Sequence, residues 1–176
     1  MLQSTLSLVL LAIGVAAAAA PPPDDPMKKT PEELMKGIEN EHPATYYVLA
    51  KKLFESGKKD EAVFWFYAGQ LRYRFHVSAN PNLEPSGDPA LLASLNEVVG
   101  QPINEYAFGD LKALDATLGR VLAWDEEKKN GFTSKKDHAA VWKKTRSGLA
   151  EMRSYVAKNG DSIRAQRKAN GLDNRN

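Results

Sequence analysis

The chain contains no cysteine. That one absence excludes disulfides, thiolate metal ligands, a cysteine nucleophile and a lipid-modified cysteine anchor. No Asn-x-Ser/Thr sequon occurs either, which favours a bacterial envelope over a eukaryotic secretory route. Histidine is scarce: His42, His76 and His138 are far apart in the sequence, and none belongs to a His-Glu-x-x-His or comparable ligand spacing. No metal and no cofactor is therefore expected. A Gly-x-Ser-x-Gly elbow and a phosphate-cradling glycine loop are both missing. Carboxylate pairs such as Glu61 with Glu105 would serve glycoside chemistry only if they met across a cleft at the required separation. These absences argue against an enzyme.

Long apolar runs are also lacking, with one exception. Leu6 to Val15 is apolar and is followed by alanines up to Ala20; it falls short of the roughly 20 residues needed to span a bilayer. Residues 1–20 read as a secretory signal peptide cut after Ala18 or Ala19, because Pro21 would hinder a cut after Ala20. No Lys or Arg precedes the run. The expected location is periplasmic or secreted. Residues 21–29, "PPPDDPMKK", form a Pro-rich linker. A helical domain over 30–160 follows, then a basic tail over 161–176. Hydrophobic residues make up 43% of the chain, enough for one core that must be stable by packing alone.

The net charge of +2 conceals an asymmetry. Pro21 to Glu127 holds 11 Lys and Arg against 18 Asp and Glu; Lys128 to Asn176 holds 13 against 4. The positive C-terminal part can pack on the acidic part or offer weak contact to an anionic surface. Nucleic acid is not an expected partner outside the cytoplasm.

Helix punctuation recurs along the domain. "TPEE" gives a capping box, with Thr30 as cap, Pro31 in the first turn and Glu33 reaching back. A second helix is predicted from near Pro43 to Gly57, and a third from an Asp60 cap to about His76. Ser78 to Gly87 is a loop. Asp88 and Pro89 restart a helix, which Gly100 and Pro102 break or kink. Asp110 caps the next helix, "NGF" at 130–132 is a turn, and Ser134 with Asp137 resembles another capping box ahead of the last long helix. Strand alternation is absent. The fold class is all-α, a compact bundle of about six helices.

The segment "HPATYYVLAKKLFESGKKDEAVFWFYAGQ", His42 to Gln70, resembles one unit of the tetratricopeptide and Sel-like helical repeats. The matching residues are Tyr47, Leu49, Ala50, Phe54, Gly57, Asp60, Glu61, Ala62, Trp65, Phe66, Ala68 and Gly69. The resemblance implies two antiparallel helices and, by family analogy, a protein-binding role. No second clear copy follows at a period of about 34 residues, so one repeat-like hairpin inside a compact domain is expected rather than a solenoid.

Candidate contact residues follow from projecting "FWFYAGQLRYRF" onto a helix. Four consecutive aromatics cannot share one face at 100° per residue. Ala62, Phe66, Gly69 and Tyr73 form one apolar stripe; Phe64, Ala68, Leu71 and Phe75 form another, nearly opposite. Between them run two seams, Glu61, Trp65, Arg72 and His76 on one side and Val63, Tyr67, Gln70 and Arg74 on the other. Trp and Arg are enriched at interface hot spots, so Trp65 with Arg72 is the leading pair; the structural alternative is that Arg72 pairs with Glu61 or another carboxylate. Gln101, Asn104, Glu105 and Tyr106 offer a small polar cluster at the predicted break. The expected function is binding another protein in the cell envelope, as an adaptor or as an inhibitor or immunity protein with Ser78 to Gly87 as its anchor loop. The opposing reading is a small hydrolase or ligand-binding protein with a pocket near Trp65, Arg72 and His76.

Overall fold

The computed structural model describes residues 25–175; the expected signal peptide and the first part of the linker lie outside them. Eight α-helices and two short 3-10 turns, Pro26–Lys28 and Ile38–Asn40, account for the described chain, without strands. The helices are α1 (Pro31–Met35), α2 (Ala44–Glu55), α3 (Lys59–Ala79), α4 (Asp88–Val98), α5 (Gly100–Ala107), α6 (Leu111–Glu127), α7 (Ala139–Lys158) and α8 (Gly160–Ala169). The all-α fold class holds. Among the described residues, no helix is long and apolar enough to cross a membrane.

Local chemistry explains the starts of α1 and α6. Thr30 and Glu33 form the reciprocal capping box ahead of α1, and the Asp110 carboxylate accepts from the Ala113 N–H ahead of α6, each satisfying donors that have no intrahelical partner. Asp60 behaves differently from the expectation. It lies inside the first turn of α3, whose cap position is Lys58, and its carboxylate accepts from the Tyr106 hydroxyl at 2.9 Å. Ser134 does accept from the Asp137 N–H, but only a turn follows before α7 begins at Ala139.

The hairpin of α2 and α3 is the centre of the domain. Gly57 turns the chain between them with φ at +84°, a conformation open to glycine at little cost. Gly69 lets the two helices touch: a Cβ there would sit 2.5 Å from the Tyr46 Cβ. Both apolar stripes of α3 are covered. Phe66 and Tyr73 meet Tyr47 of α2 edge-on, while Phe64 meets Trp124 of α6 and Phe75 meets His138 ahead of α7. Buried residues therefore run almost all round α3, from Ala62 to His76; a helix with apolar groups on all sides is an interior helix.

Gly100 and Pro102 mark a junction between two helices rather than an irregular segment. Val99 keeps helical dihedrals and its N–H bonds the Leu95 carbonyl at 3.0 Å, and α5 starts at Gly100 with Pro102 in its first turn, where a missing N–H leaves no intrahelical bond unmade. A Cβ on Gly100 would lie 2.8 Å from the Phe66 ring, so the junction packs directly on α3. Most of the basic tail is ordered around one more helix. Helix α8 runs to Ala169, and beyond it the Arg175 N–H donates to the Gly109 carbonyl at 2.7 Å while its guanidinium stacks 3.6 Å from the Tyr106 ring. Residues 160–175 thus belong to the fold.

One buried ion pair joins the layers. Arg72 of α3 and Asp125 of α6 are each 2% exposed, with Nε 3.5 Å from Oδ1. The guanidinium donates to the Tyr46 hydroxyl at 2.7 Å and the Lys129 carbonyl at 2.9 Å, and stacks 4.2 Å from the Trp124 ring. Asp125 Oδ2 accepts from Trp142 Nε1 at 2.8 Å and Arg146 Nη1 at 3.1 Å, both on α7. At the surface, Arg153 of α7 grips Asp115 of α6 with two bonds of 2.7 and 2.9 Å. The Arg153 guanidinium holds the Asp115 carboxyl below the ordinary range despite an opposing contribution from partial burial.

Two predictions follow from these pairs. Asp125→Asn leaves the Arg72 guanidinium buried without its counter-charge and is expected to cost about 3–5 kcal/mol in urea unfolding; a loss under 1 kcal/mol, about the size of an exposed ion pair, would show that the pair is not a structural centre. Asp115→Asn is expected to be less stable than the wild type at pH 7. Because the folded-state carboxyl is depressed below the ordinary value of 3.8, that difference is fully present above about pH 4 and closes as the pH falls through the lower folded value. Unfolding midpoints at pH 7 and pH 2.5 read it.

Candidate functional site

Burial of α3 decides the fate of the two seams. Arg72 and His76 on the first, and Val63, Tyr67 and Gln70 on the second, are buried; Trp65 is half-buried, and only Glu61 and Arg74 are exposed. Trp65 is boxed by Tyr46, Phe64 and Trp124 with ring centroids 5.2–6.0 Å apart. Arg72 is therefore closed to a partner: it pairs with a carboxylate, and that carboxylate is Asp125, not Glu61. Gln70 and Tyr47 both donate to Asn96 Oδ1 of α4, at 2.8 and 3.0 Å. The Tyr67 hydroxyl donates to Asn104 Oδ1 of α5 at 2.8 Å, and burial pushes its phenol above the ordinary range, so it stays a donor. The seam polar groups serve as interhelical connectors.

The polar cluster on α5 divides between two roles. Gln101 and Glu105 are exposed and bond each other at 3.1 Å, while Tyr106 is clamped between Asp60 and the Arg175 guanidinium. Asn104 and Glu105, with Phe108, form one wall of an open cleft of about 420 Å³. Its other wall comes from α7 and α8: Tyr155, Ile163, Gln166 and their neighbours. Tyr155 also borders a second cleft along α7, of about 600 Å³, with Ser147, Glu151 and Lys158. This tyrosine is 60% exposed and stands where the two clefts meet. Glu61 lines neither, so the Glu61 and Glu105 pair shares no cleft there.

Between Ala79 and Asp88 the loop holds two turns, closed by the Leu83 N–H to the Asn80 carbonyl and the Gly87 N–H to the Glu84 carbonyl. Leu83 is half-buried and its neighbours are mostly exposed. The loop ends at a cluster that sequence spacing did not reveal. Asp88, the first residue of α4, accepts from His42 Nε2 at 3.0 Å, the Tyr73 hydroxyl at 2.7 Å and His76 Nε2 at 3.1 Å. The ligand-capable atoms of His42, His76 and Asp88 all lie within 4.8 Å of one another. Burial raises the Asp88 carboxyl, but the bonds from Tyr73 and His76 and the nearby His42 outweigh it and leave it below its ordinary value.

A signal for this cluster was present in the hairpin itself. Antiparallel helices set the residue before the first beside the last turn of the second, which is where His42 and His76 stand. Their separation of 34 positions along the chain hides that proximity. These three residues are the group among those described that could hold a metal.

Comparison with known proteins adds little to the geometry. No protein-family model matches the chain, and no solved structure matches it. An uncharacterised protein of Haemophilus influenzae is 32% identical over 83 residues, which is 47% of this chain and 32% of that protein. The matched stretch thus spans about a third of that relative's length.

The floor of the α5–α8 cleft can be tested through Asn104. Asn104→Ala strips the buried Tyr67 hydroxyl of its acceptor and is expected to cost about 1–3 kcal/mol. Adding Tyr67→Phe removes the stranded hydroxyl and should recover part of that loss in a double-mutant cycle. Strict additivity would show that the bond is not made.

Proposed function

We propose that this is a helical scaffold that works by binding another protein in the cell envelope, with the clefts on either side of Tyr155 as its contact surface. The observation that carries the reading is Tyr155 itself, 60% exposed where the two clefts meet. An aromatic ring of that kind supplies a large contact area at low entropic cost and is a typical anchor of a protein interface. Around it the lining mixes amides and hydroxyls with Phe108 and Ile163, which suits an extended segment offering both backbone groups and side chains. The envelope placement rests on the apolar run at the N-terminus. An adaptor fits better than an inhibitor, since Tyr155 stands between two open grooves and the 80–87 loop is tied down by its own turns. The hairpin resembling tetratricopeptide repeats supports the surface from behind.

Affinity capture from the protein's own envelope fraction tests this. Tyr155→Ala and Glu105→Lys are expected to lower recovery of a wild-type partner about tenfold or more, as loss of a hot spot would. Arg74→Ala, exposed on α3 and absent from both clefts, should leave recovery unchanged. Identical recovery with all three variants sinks the proposal.

A further inference from the structure

The cluster of His42, His76 and Asp88 is more than the contact surface requires. We infer that it is a binding site for a first-row divalent metal ion such as zinc, held by two imidazole Nε2 atoms and one carboxylate. The donor set suits such an ion: imidazole and carboxylate are borderline and hard ligands, and three protein ligands with a fourth position toward solvent is a common zinc arrangement. In the hydrogen-bonded form, Nε2 of His42 and of His76 lie 3.0 and 3.1 Å from the Asp88 oxygens. Zinc bonds of about 2.0–2.1 Å set ligand atoms about 3.3 Å apart in a tetrahedron. The whole set spans no more than 4.8 Å, so modest ring movements, chiefly of the half-exposed His42, close it.

Surrounding groups supply what metal ligands need behind them. The Tyr73 hydroxyl donates to Asp88 Oδ1, and Thr133 Oγ1 stands 3.0 Å from His76 Nδ1. Phe132 packs its ring 4.8 Å from His42 and 4.9 Å from His76, forming an apolar wall. The side chains of His42 and Asp88 remain 33% and 23% exposed, which leaves an entry path.

Binding requires a tautomer change, and that change gives the test its signature. The Ala44 N–H donates to His42 Nδ1 at 3.1 Å, so that ring carries its proton on Nε2, toward Asp88. An ion on Nε2 moves the proton to Nδ1 through solvent, with no net release from the ring. Nδ1–H then faces the Ala44 N–H, donor against donor, and the amide must turn to water. Ala44 opens α2, and a first-turn N–H has no helical acceptor to lose. At His76 the Nδ1 proton points to Thr133 Oγ1, and Asn80 Nδ2, 3.3 Å away, keeps its 2.8 Å bond to the His76 carbonyl.

Zinc added to the purified protein and followed by calorimetry, with the Ala44 amide read by NMR, decides the matter. The expected result is one ion per chain with a displaced Ala44 resonance. His42→Gln and Asp88→Asn should weaken binding at least about tenfold, as loss of a ligand must if loss of its outer partners costs 10–100-fold, and should abolish the Ala44 shift. Should Asp88→Asn fail to fold, His42→Gln carries the comparison. No saturable binding by the wild type, or binding that both variants retain with Ala44 unmoved, overturns the inference and leaves the cluster a hydrogen-bonded clamp on α4.

Discussion

A guanidinium and a carboxylate that are each almost wholly removed from water must be held by their surroundings, because the desolvation of either ion alone costs several kcal/mol. Arg72 and Asp125 satisfy that constraint by recruiting four groups from three parts of the chain: Tyr46 from α2, the carbonyl of Lys129 after α6, and Trp142 and Arg146 from α7. The side-chain partners are aromatic or charge-bearing, so each of them also fills space or adds field. Lys135 stands near the same carboxylate, 3.9 Å from Oδ1, and its ammonium is depressed by burial against the attraction of Asp125. Three cations around one buried anion fix the relative placement of α3, α6 and α7 more narrowly than apolar contact would, since apolar packing tolerates sliding and a bonded ion pair does not.

With that centre fixed, the rest of the surface sorts itself. Helix α3 is enclosed, so its polar residues turn into struts: Gln70 to Asn96, Tyr67 to Asn104, His76 to Asp88. Two struts end on α4 and one on α5, which explains why both are positioned although α4 buries none of its residues fully. The exposed clefts are left to the outer elements. One cleft beside Tyr155 lies between α5 and the α7–α8 pair and the other runs along α7, whereas the histidine cluster lies at the open end of the α2–α3 hairpin. Both sites borrow rigidity from α3 without exposing it.

Much of the fold was legible in the residues. The Thr30 capping box, the Asp110 cap and the Gly57 turn are local devices, and they operate as their sequence implies. Two opposite apolar stripes on α3 correctly marked an interior helix. Asp60 was misread because a first-turn aspartate looks the same as a cap in sequence; its partner, Tyr106, comes from α5. Of the candidate site residues, Asn104 and Glu105 do line a cleft, whereas Arg72, His76, Tyr67 and Gln70 are covered. Tyr155 recurs with Leu149, Met152 and Val156 at helical spacing on α7, yet it is exposed, since periodicity says which residues share a face but not where the neighbouring helix ends.

By itself the sequence determined the all-α class, the hairpin and the enclosure of α3, because capping, turn chemistry and helical periodicity act over a few residues. Tertiary structure alone decided which charge is buried and which ring is free. It chose Asp125 over Glu61 for Arg72, gathered His42, His76 and Asp88, and left Tyr155 in water. Those outcomes depend on partners brought from distant parts of the chain, and burial, which sets the strength of a charge or a hydrogen bond, exists only once the helices have packed.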